Sequence, residues 1–233
     1  MEKKDLLKDV IKHIDIKSYN STELIDAMRN MSFTSRDTAR AADILMMMCK
    51  EKECTNILTL AGSTSAAGCM QVYVDMVRNK MIDVVVATGA SIIDMDLFEA
   101  LGFKHYIGEK ENVIADTTLR DLYIDRIYDT YIDEEELQAC DHTTFEIANM
   151  LEARPYSSRE FIYEIGKWLH DGHAVKKDSL IQTCYECGVP IFVPAFSDSS
   201  AGFGIGKHQW ERMQKGEKYL SIDSVKDFIE LTQ

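Results

Sequence analysis

Two short segments rich in small residues, 61–68 and 87–91, each follow an apolar run of strand-like composition. Small residues let backbone N–H groups approach a phosphate, and the helix after each segment presents unpaired donors at its positive end. The residues predicted to contribute are Gly62, Ser63, Thr64, Ser65 and Ala66 in the first loop and Thr88, Gly89 and Ala90 in the second. Neither segment matches GxGxxG or GxxxxGK[ST], and tight strand-to-helix turns favour small residues in any α/β protein, so a structural role stays open.

A third loop, residues 194–202, also follows an apolar run and carries a carboxylate among hydroxyls. Asp198 can accept both hydroxyls of a ribose or pair with an amine, and the neighbouring serines 197, 199 and 200 can satisfy its lone pairs or the loop backbone. The alternative is an Asx or Ser turn that caps the next helix. Residues 202–208 (GFGIGKH) are not interpreted as a dinucleotide fingerprint, because they lack the required spacing and the strand-to-helix context.

The elements that must position these loops are three apolar runs of strand length, residues 55–60, 82–86 and 189–193, separated by helical patterns. Strands that alternate with helices predict a parallel sheet, and ligands bind such sheets at the carboxyl ends of the strands. We therefore expect an α/β fold with a three-layer, Rossmann-like parallel sheet, helices on both of its faces, and additional helices at the N-terminus.

Local sequence patterns predict four helical segments outside this sheet. Ser35 is expected to be the N-cap of a helix that extends to Cys49, and residues 116–132 have an irregular helical pattern. The acidic run 133–136 is expected to open a helix, because negative residues in a first turn interact favourably with the helix dipole. Residues 160–169 predict a strongly amphipathic helix.

Length and charge narrow the class of protein. The chain has 233 residues and no recognisable linker, so we expect one domain over residues 1–233. Its formal net charge of −13 argues against a nucleic-acid partner and suits a cationic substrate. No apolar run is long enough to cross a membrane and the N-terminus lacks the apolar core of a signal peptide, so we expect a cytoplasmic protein without a membrane partner.

The cysteines give no indication of redox or metal chemistry. The chain has six scattered cysteines, which are expected to be reduced thiols. Cys184 and Cys187 form a CxxC pair, but the pair closes a helical run at Gly188 instead of opening one, and no second pair is near it in the sequence. We interpret this pair as structural and expect no metal site.

Six groups of residues, in order along almost the whole chain, match one family. They are residues 33–37 (FTSRD) with 40–45 (RAADIL), 58–62 (LTLAG) with 66–68 (AAG), 83–90 (DVVVATGA), 99–106 (EALGFKHY), 126–130 (RIYDT), and 189–195 (VPIFVPA) with 197–199 (SDS). On these segments the chain resembles the deoxyhypusine synthase family, and most closely its bacterial and archaeal deoxyhypusine synthase-like members.

The resemblance implies an NAD-dependent transfer of the aminobutyl group of spermidine. In this family NAD oxidises the amine, a lysine takes the aminobutyl group as an imine, and an acceptor amine receives it. The acceptor is a lysine of a translation initiation factor in eukaryotes and archaea, whereas a free amine such as putrescine or agmatine is the candidate in bacteria. The resemblance also implies a polyamine substrate and a homo-oligomer, a tetramer with active sites shared between subunits.

The resemblance also implies which residues of this chain occupy the binding-site positions of the family. Residues 62–66 and 88–90 fall on the family's two NAD loops, and Asp198 falls on an aspartate that contacts the cofactor. Asp94 or Asp96 falls near acidic positions that contact the cofactor and the polyamine in the family. The loop that carries them is one residue longer here than in the eukaryotic enzymes, so the resemblance does not choose between the two aspartates. Phe203 stands where the eukaryotic enzymes have an aspartate that holds a spermidine amine, which points to a different substrate.

The largest departure from the family pattern concerns the imine-forming lysine. Family members continue beyond the region that matches residues 219–231, and that part carries the Trp-Gly-Lys motif, whereas Lys207, Lys215, Lys218 and Lys226 all lack this context. We therefore assign no catalytic residue and keep two interpretations. The chain either belongs to an active transferase, or it is an inactive, regulatory or structural subunit, or a fragment, that needs a partner to supply the lysine.

Overall fold

The computed structural model describes residues 2–109, 113–199 and 201–233. Its helices and strands are, in chain order, α1 (Lys3–Leu6), α2 (Thr22–Met28), α3 (Phe33–Lys50), β1 (Ile57–Leu60), α4 (Met70–Arg78), β2 (Val84–Ala87), α5 (Phe98–Ala100), β3 (Tyr106–Ile107), α6 (Asp116–Asp121), β4 (Ile124–Ile127), β5 (Thr130–Asp133), α7 (Glu134–Met150), β6 (Pro155–Tyr156), α8 (Ser158–Trp168), α9 (Leu180–Cys187), β7 (Ile191–Phe192), α10 (Ala201–Gln214), β8 (Ser221–Ile222) and α11 (Ser224–Leu231). A 3₁₀ turn covers Ile16–Ser18, and π-helical turns cover Ser65–Cys69, Ala90–Leu97 and Leu169–His173.

A parallel sheet of order β1-β2-β7 lies at the centre of the fold. Strand β1 pairs with β2 along its whole length, from Ile57 opposite Val84 to Leu60 opposite Ala87, and β7 pairs with the other edge of β2. Buried apolar side chains of these strands pack in one core with those of α4, α7, α8 and α9. The expectation of a Rossmann-like α/β fold is confirmed, and the strands lie within one or two residues of their predicted positions.

A second, antiparallel sheet of order β3-β5-β4 was not expected. The prediction that residues 116–132 are irregularly helical is wrong beyond Asp121, where α6 ends. Strands β4 and β5 form a hairpin with a two-residue connection, and Tyr128 in that connection adopts a φ of 55°. Several of the apolar residues happen to be spaced as in a helix, whereas the β-branched Ile124, Ile127 and Ile132 pack better in a sheet.

N-cap residues mark where three helices begin, and in two of these helices the side chain of the N-cap accepts backbone N–H groups. Helix α3 starts at Phe33 with Ser32 as its N-cap, so the expected N-cap at Ser35 is wrong and Ser35 lies inside the helix. The acidic run opens α7 as expected, because the Asp133 carboxylate accepts two backbone N–H groups of the first turn. A capping box between Ser157 and Glu160 starts α8, two residues before the predicted position.

The glycine-rich run 202–208 lies in α10 and serves helix packing. A Cβ atom on Gly204 would lie 2.1 Å from Thr144 Oγ1 and 2.4 Å from the Asp141 carbonyl oxygen, so the backbones of α10 and α7 approach closely at this point. Lys207, one turn further along α10, places its ammonium 4.6 Å from the centre of the Phe145 ring. The decision against a dinucleotide fingerprint agrees with this position in the middle of a helix.

Replacing Gly204 by alanine is expected to destabilise the protein by about 1–3 kcal/mol, because the added methyl group must push two packed helices apart. Gly206 provides the matched control, since it lies in the same helix and nothing lies within 4 Å of an added Cβ there. Gly206→Ala is expected to stabilise the protein by up to about 1 kcal/mol. Chemical denaturation measures both changes, and equal effects of the two substitutions would contradict this account of the packing.

Two further properties concern the whole set of described residues. All six cysteines are free thiols, and Cys184 and Cys187 lie at the end of α9, which closes at Gly188 with a φ of 71°. Within the described ranges, no helix has both the length and the apolar character needed to cross a bilayer.

Candidate cofactor and substrate site

Three loops meet at the carboxyl edge of the central sheet. The first (residues 61–66) follows β1, the second (residues 88–91) follows β2, and the third (residues 193–199) follows β7. The Ser91 hydroxyl donates to the Gly62 carbonyl at 2.9 Å, which ties the second loop to the first. A Cβ atom on Gly89 would lie only 2.5 Å from Ser199 Cβ, so the second loop also lies directly against the third. This edge is where open α/β sheets bind ligands.

The first loop presents some of its predicted residues and buries others. Gly62 is exposed, with a φ of 71° and open space where a side chain would project. Thr64 is exposed and accepts a hydrogen bond from the Tyr73 hydroxyl at 2.8 Å, and Ser63 is half-buried. Ser65 and Ala66 are buried, and the Ser65 hydroxyl donates to the Ser91 carbonyl oxygen. The outer part, residues 62–64, is therefore the part that a ligand can reach.

The helix after the first loop, α4, begins at Met70. A π-helical turn, Ser65–Cys69, separates the loop from α4 and contains Gly68 with a φ of 92°. The first backbone N–H of α4, on Met70, donates to His13 Nδ1 at 3.2 Å. The expectation that this helix offers its first N–H group to a phosphate is wrong for Met70, because a side chain from the N-terminal segment accepts it.

The second loop is held by its own hydroxyl groups. The Thr88 side chain is exposed, and its Oγ1 lies 3.1 Å from Ser91 Oγ and accepts the Ser91 N–H. Gly89 is buried against the third loop, and Ala90 is half-buried at the start of the following π-helical turn. Thr88 is thus the polar side chain that this loop offers to a ligand. Ser91, which contacts both loops, belongs to the same small-residue segment, and its spacing from Thr88 is typical of a side-chain cap at the start of a helix.

The third loop places its carboxylate outward. Asp198 is exposed, and its backbone N–H donates to the Ala195 carbonyl at 2.9 Å. The Ser199 hydroxyl donates to the Phe196 carbonyl at 2.9 Å, so this serine stabilises the backbone of its own loop. Ser200 lies outside the described residues. The position of Asp198 at the end of β7 is compatible with a ribose or an amine as its partner.

Of the two candidate aspartates after the second loop, Asp96 has a structural role. Its carboxylate is buried and accepts the backbone N–H groups of Leu180 and Ile181, at 2.8 and 2.7 Å, which caps α9. Burial raises the pKa of Asp96 to about 6, although the two hydrogen bonds favour its charged form. A carboxylate committed to two backbone donors inside the protein is poorly placed for a soluble ligand.

Asp94 is half-buried in the same π-helical turn. Its charge acts on Cys140 of α7: burial raises the pKa of the Cys140 thiol well above its ordinary value, and the negative charges of Asp141 and Asp94 add to that shift. Asp94 therefore lies near Cys140 of α7. The two aspartates are only two residues apart in the sequence. The hydrogen bonds to the N-terminus of α9 distinguish Asp96 from Asp94.

A group of charged and histidine side chains around the buried Glu99 lies behind the first loop. We call His13, Glu99, His105 and Lys176 the Glu99 cluster. The Glu99 carboxylate lies 2.6 Å from His13 Nε2, 2.8 Å from His105 Nδ1 and 2.5 Å from Lys176 Nζ. Burial alone would raise the pKa of Glu99, but the three partners hold it well below its usual range. The members of the cluster come from three separated segments, so no local pattern in the sequence points to it.

Metal binding finds no support in the side chains that the structure describes. Among them, no group of three or more His, Cys, Asp or Glu residues is arranged to hold a metal ion.

Comparisons with known proteins agree with one another. A family model described as deoxyhypusine synthase matches residues 23–233. A deoxyhypusine synthase-like protein of Caulobacter vibrioides is 65% identical over 99% of this chain and 62% of its own length. A protein of the same description from Coxiella burnetii is 58% identical, with 99% and 64% covered. A probable deoxyhypusine synthase 2 of Methanosarcina acetivorans is 39% identical, with 94% and 61% covered.

A solved structure supports the fold alone. The crystal structure of a putative deoxyhypusine synthase from Entamoeba histolytica superposes with a TM-score of 0.62 at 20% identity, over 95% of this chain and 76% of that one. The chain spans 62% and 64% of the length of the two bacterial relatives, so it corresponds to less than two thirds of each.

Proposed function

Because the chain belongs to the deoxyhypusine synthase family, we propose that the protein takes part in the NAD-dependent transfer of the aminobutyl group of spermidine to an amine acceptor. The observation that carries this proposal is the meeting of three loops at the carboxyl ends of β1, β2 and β7. The link from Ser91 to Gly62 and the close approach of Gly89 to Ser199 make these loops one continuous surface.

The exposed residues of this surface fit NAD. The backbone at Gly62 is open to solvent, so a phosphate can approach the N–H groups of the first loop. The Thr88 hydroxyl and the Asp198 carboxylate are exposed at the ends of the next two strands and can hold ribose hydroxyls. NAD, when bound, supplies the hydride acceptor for oxidation of the amine. The chain's own residues bind and orient the reactants.

For the polyamine, we assign Asp94 and leave Asp96 in its capping role. A carboxylate beside the second loop can form a charge-assisted hydrogen bond with a substrate ammonium. The formal net charge of −13 favours the approach of a cation to any part of this protein. The acceptor amine is proposed only as a class, a protein lysine or a free amine such as putrescine or agmatine.

The two aspartates are expected to respond differently to substitution. Asp94→Asn should raise the Kd for spermidine at least about tenfold, because it removes the negative charge that strengthens the hydrogen bond to a substrate ammonium. Asp96→Ala should lower stability by about 2 kcal/mol, because two backbone N–H groups lose their acceptor, and should change the spermidine Kd little. Calorimetric titration and thermal melts of both variants test this assignment. The opposite pattern would move the polyamine site to Asp96.

A second candidate function is that of a subunit whose reactive lysine comes from another chain. The positions of two lysines favour it: Lys207 lies over the Phe145 ring, and Lys226 donates to Glu160 at 2.5 Å. Both ammonium groups therefore interact with side chains of other helices, α7 and α8. In this case the three loops would bind NAD and polyamine for a partner that forms the imine.

One experiment separates the two candidates. The protein is incubated with NAD, spermidine and isotopically labelled putrescine, and the amines are analysed by mass spectrometry. Labelled homospermidine and 1,3-diaminopropane in equal amounts would support the transferase, since transfer of the aminobutyl group to putrescine releases the three-carbon diamine. NAD binding without product would support the dependent subunit. Failure to bind NAD in the presence of spermidine would contradict both.

We also propose that the protein works as a homo-oligomer or with a partner subunit in the cytoplasm. Large apolar side chains on α10 and α11 are exposed, among them Phe203, Trp210 and Phe228, and the six free thiols suit a reducing compartment. Light scattering at micromolar concentration is expected to give a dimer or a larger species, with a tetramer as the assembly implied by the family. A stable monomer would contradict self-assembly.

A further inference from the structure

Residues 9–14, between α1 and α2, form a segment that passes behind the first loop. We call it the N-terminal strap. Its backbone pairs with the strand β3 region, where the Ile11 N–H donates to the His105 carbonyl at 2.9 Å and the Ile107 N–H donates to the Asp9 carbonyl at 2.7 Å. Further along, the Ile14 N–H donates to the Gly68 carbonyl at 2.9 Å. The strap therefore bridges the second sheet and the π-helical turn of the first loop.

The strap touches that turn at a point with little spare room. A Cβ atom on Gly68 would lie 2.9 Å from the Lys12 carbonyl oxygen, and Gly68 has a φ of 92° that L side chains rarely adopt. A side chain at position 68 would therefore clash with the strap backbone. Residues 65–69, at the end of the first loop, thus lie in direct backbone contact with the strap.

His13 fixes the strap to the helix that follows the loop. The Met70 N–H, the first of α4, donates to His13 Nδ1 at 3.2 Å, and the N-cap residue Cys69 makes no capping bond with its own side chain. A carboxylate can only accept, so the contact of 2.6 Å between His13 Nε2 and Glu99 requires the proton on Nε2. The two partners together select one neutral tautomer, with Nδ1 free to accept the Met70 N–H.

The Glu99 cluster prevents His13 from moving away. The His13 side chain is 14% exposed and that of Glu99 is 11% exposed, so their hydrogen bond is shielded from water. His105 and Lys176 donate to the same carboxylate and hold it in place. The imidazole is thereby positioned from one side by a fixed carboxylate and presents its other nitrogen to α4.

We propose that His13 is a positioning residue for the first cofactor loop. It caps α4 from a distant segment and so fixes the π-helical turn and the exposed residues 62–64 that lead into it. The consequence for NAD rests on the proposed function, whereas the consequence for the order of the loop does not. Without this cap, the loop opens more often and the cofactor must order it on binding.

Two conservative substitutions separate the two bonds that His13 makes. In His13→Asn, the amide oxygen occupies the position of Nδ1 and can still accept the Met70 N–H, but the side chain is too short to reach Glu99. In His13→Gln, the amide nitrogen can replace Nε2 as donor to Glu99, while no atom occupies the position of Nδ1. His170→Ala is the control, because His170 forms a comparable histidine–glutamate contact, 3.1 Å from Glu186, on the half-exposed surface.

Hydrogen exchange measured by mass spectrometry on the full chain tests the proposal. We expect His13→Ala and His13→Gln to raise the exchange rates of amides in residues 62–70 about tenfold, the size expected for a lost helix cap, while residues 84–87 exchange as in the wild type. His13→Asn should restore near wild-type protection. Equal exchange in His13→Ala and His170→Ala would overturn the proposal, as would an Asn variant that exchanges as fast as the Gln variant. If the His13→Ala variant does not fold, comparing the exchange rates of the His13→Asn and His13→Gln variants still tests the proposal.

NAD titration of the same variants links the loop to the cofactor. The Kd for NAD should rise about tenfold in the Ala and Gln variants and stay near the wild-type value in the Asn variant and the control, in proportion to the loss of loop order. An unchanged Kd in variants with a loosened loop would overturn the positioning role for the cofactor. If the wild-type protein binds no NAD, the proposed function fails, and the exchange data alone decide whether His13 orders the loop.

Discussion

Replacing Gly89 by valine is expected to abolish measurable NAD binding and to destabilise the protein. Gly89 is buried between two loops, and a Cβ atom there would lie 2.5 Å from Ser199 Cβ and 3.5 Å from the Phe196 carbonyl oxygen. Valine adds three carbon atoms where not even one fits. The second and third loops must separate, which costs about 1–3 kcal/mol for overpacking alone and displaces Thr88 and Asp198 together. The loops after β2 and β7 would then no longer hold Thr88 and Asp198 in position for the cofactor, so we expect the affinity for NAD to fall at least about a hundredfold.

Gly62→Val tests the same assignment with less damage to the fold. Nothing lies within 4 Å of an added Cβ at Gly62, so the cost in the free protein is the left-handed backbone, roughly 1–2 kcal/mol. Gly216 has a similar φ, 66° against 71°, and equally open surroundings, so Gly216→Val matches the backbone cost away from the site. NAD affinity should fall for Gly62→Val and remain unchanged for Gly216→Val. Titration calorimetry with thermal melts measures both effects, and NAD affinities equal to the wild type in the Gly62 and Gly89 variants would rule out these loops as the cofactor site.

The loops at the strand ends could be predicted because they depend on local composition. A short apolar run can form a buried parallel strand, and small residues at its end allow a tight turn into a helix. What brings the loops into one surface depends on tertiary contacts, namely Ser91 to Gly62 and Gly89 to Ser199. Sequence order shows that such loops share an edge of the sheet, but it does not show which atoms meet.

The hairpin β4–β5 and the first turn of α3 show where local patterns mislead. The segment that contains the hairpin has apolar residues at spacings that also suit a helix, and the pairing with β3 decides in favour of strands. Ser35 and Ser32 are both good N-cap residues, and intrinsic preference cannot choose between them. In both cases several local structures have similar energies, and tertiary packing selects one.

Asp94, Asp96 and His13 show the same limitation for the site. The two aspartates are two positions apart in one apolar segment, and only the N-terminus of α9 identifies Asp96 as a cap. His13 lies 57 positions before its helix partner and 86 before its carboxylate partner, with no motif to connect them. A side chain that acts through distant partners leaves no local signal in a single sequence.

Replacing Glu99 by glutamine is expected to destabilise the protein by about 3–5 kcal/mol at neutral pH, the cost of breaking a buried ion pair from one side. The Glu99 side chain is 11% exposed, and its carboxylate is the common acceptor for His13, His105 and Lys176. A neutral amide has one acceptor oxygen, so donors that now share two oxygens would face an NH₂ group instead. Glu146→Gln is the matched control, because Glu146 forms a contact with His142 whose side chains are 55% and 57% exposed, and it should cost at most about 1 kcal/mol.

The effect of Glu99→Gln should depend on pH with a definite sign. The pKa of Glu99 in the folded protein lies well below the ordinary glutamate value of about 4.3, which applies to the unfolded chain. The charged carboxylate therefore stabilises the fold fully above that value, and this stabilisation is lost as the pH falls toward the folded pKa. Denaturation curves of wild type and variant at pH 7 and pH 3 should give free-energy differences that shrink at the lower pH. A difference that stays constant or grows on acidification would show that the Glu99 charge does not hold the cluster together.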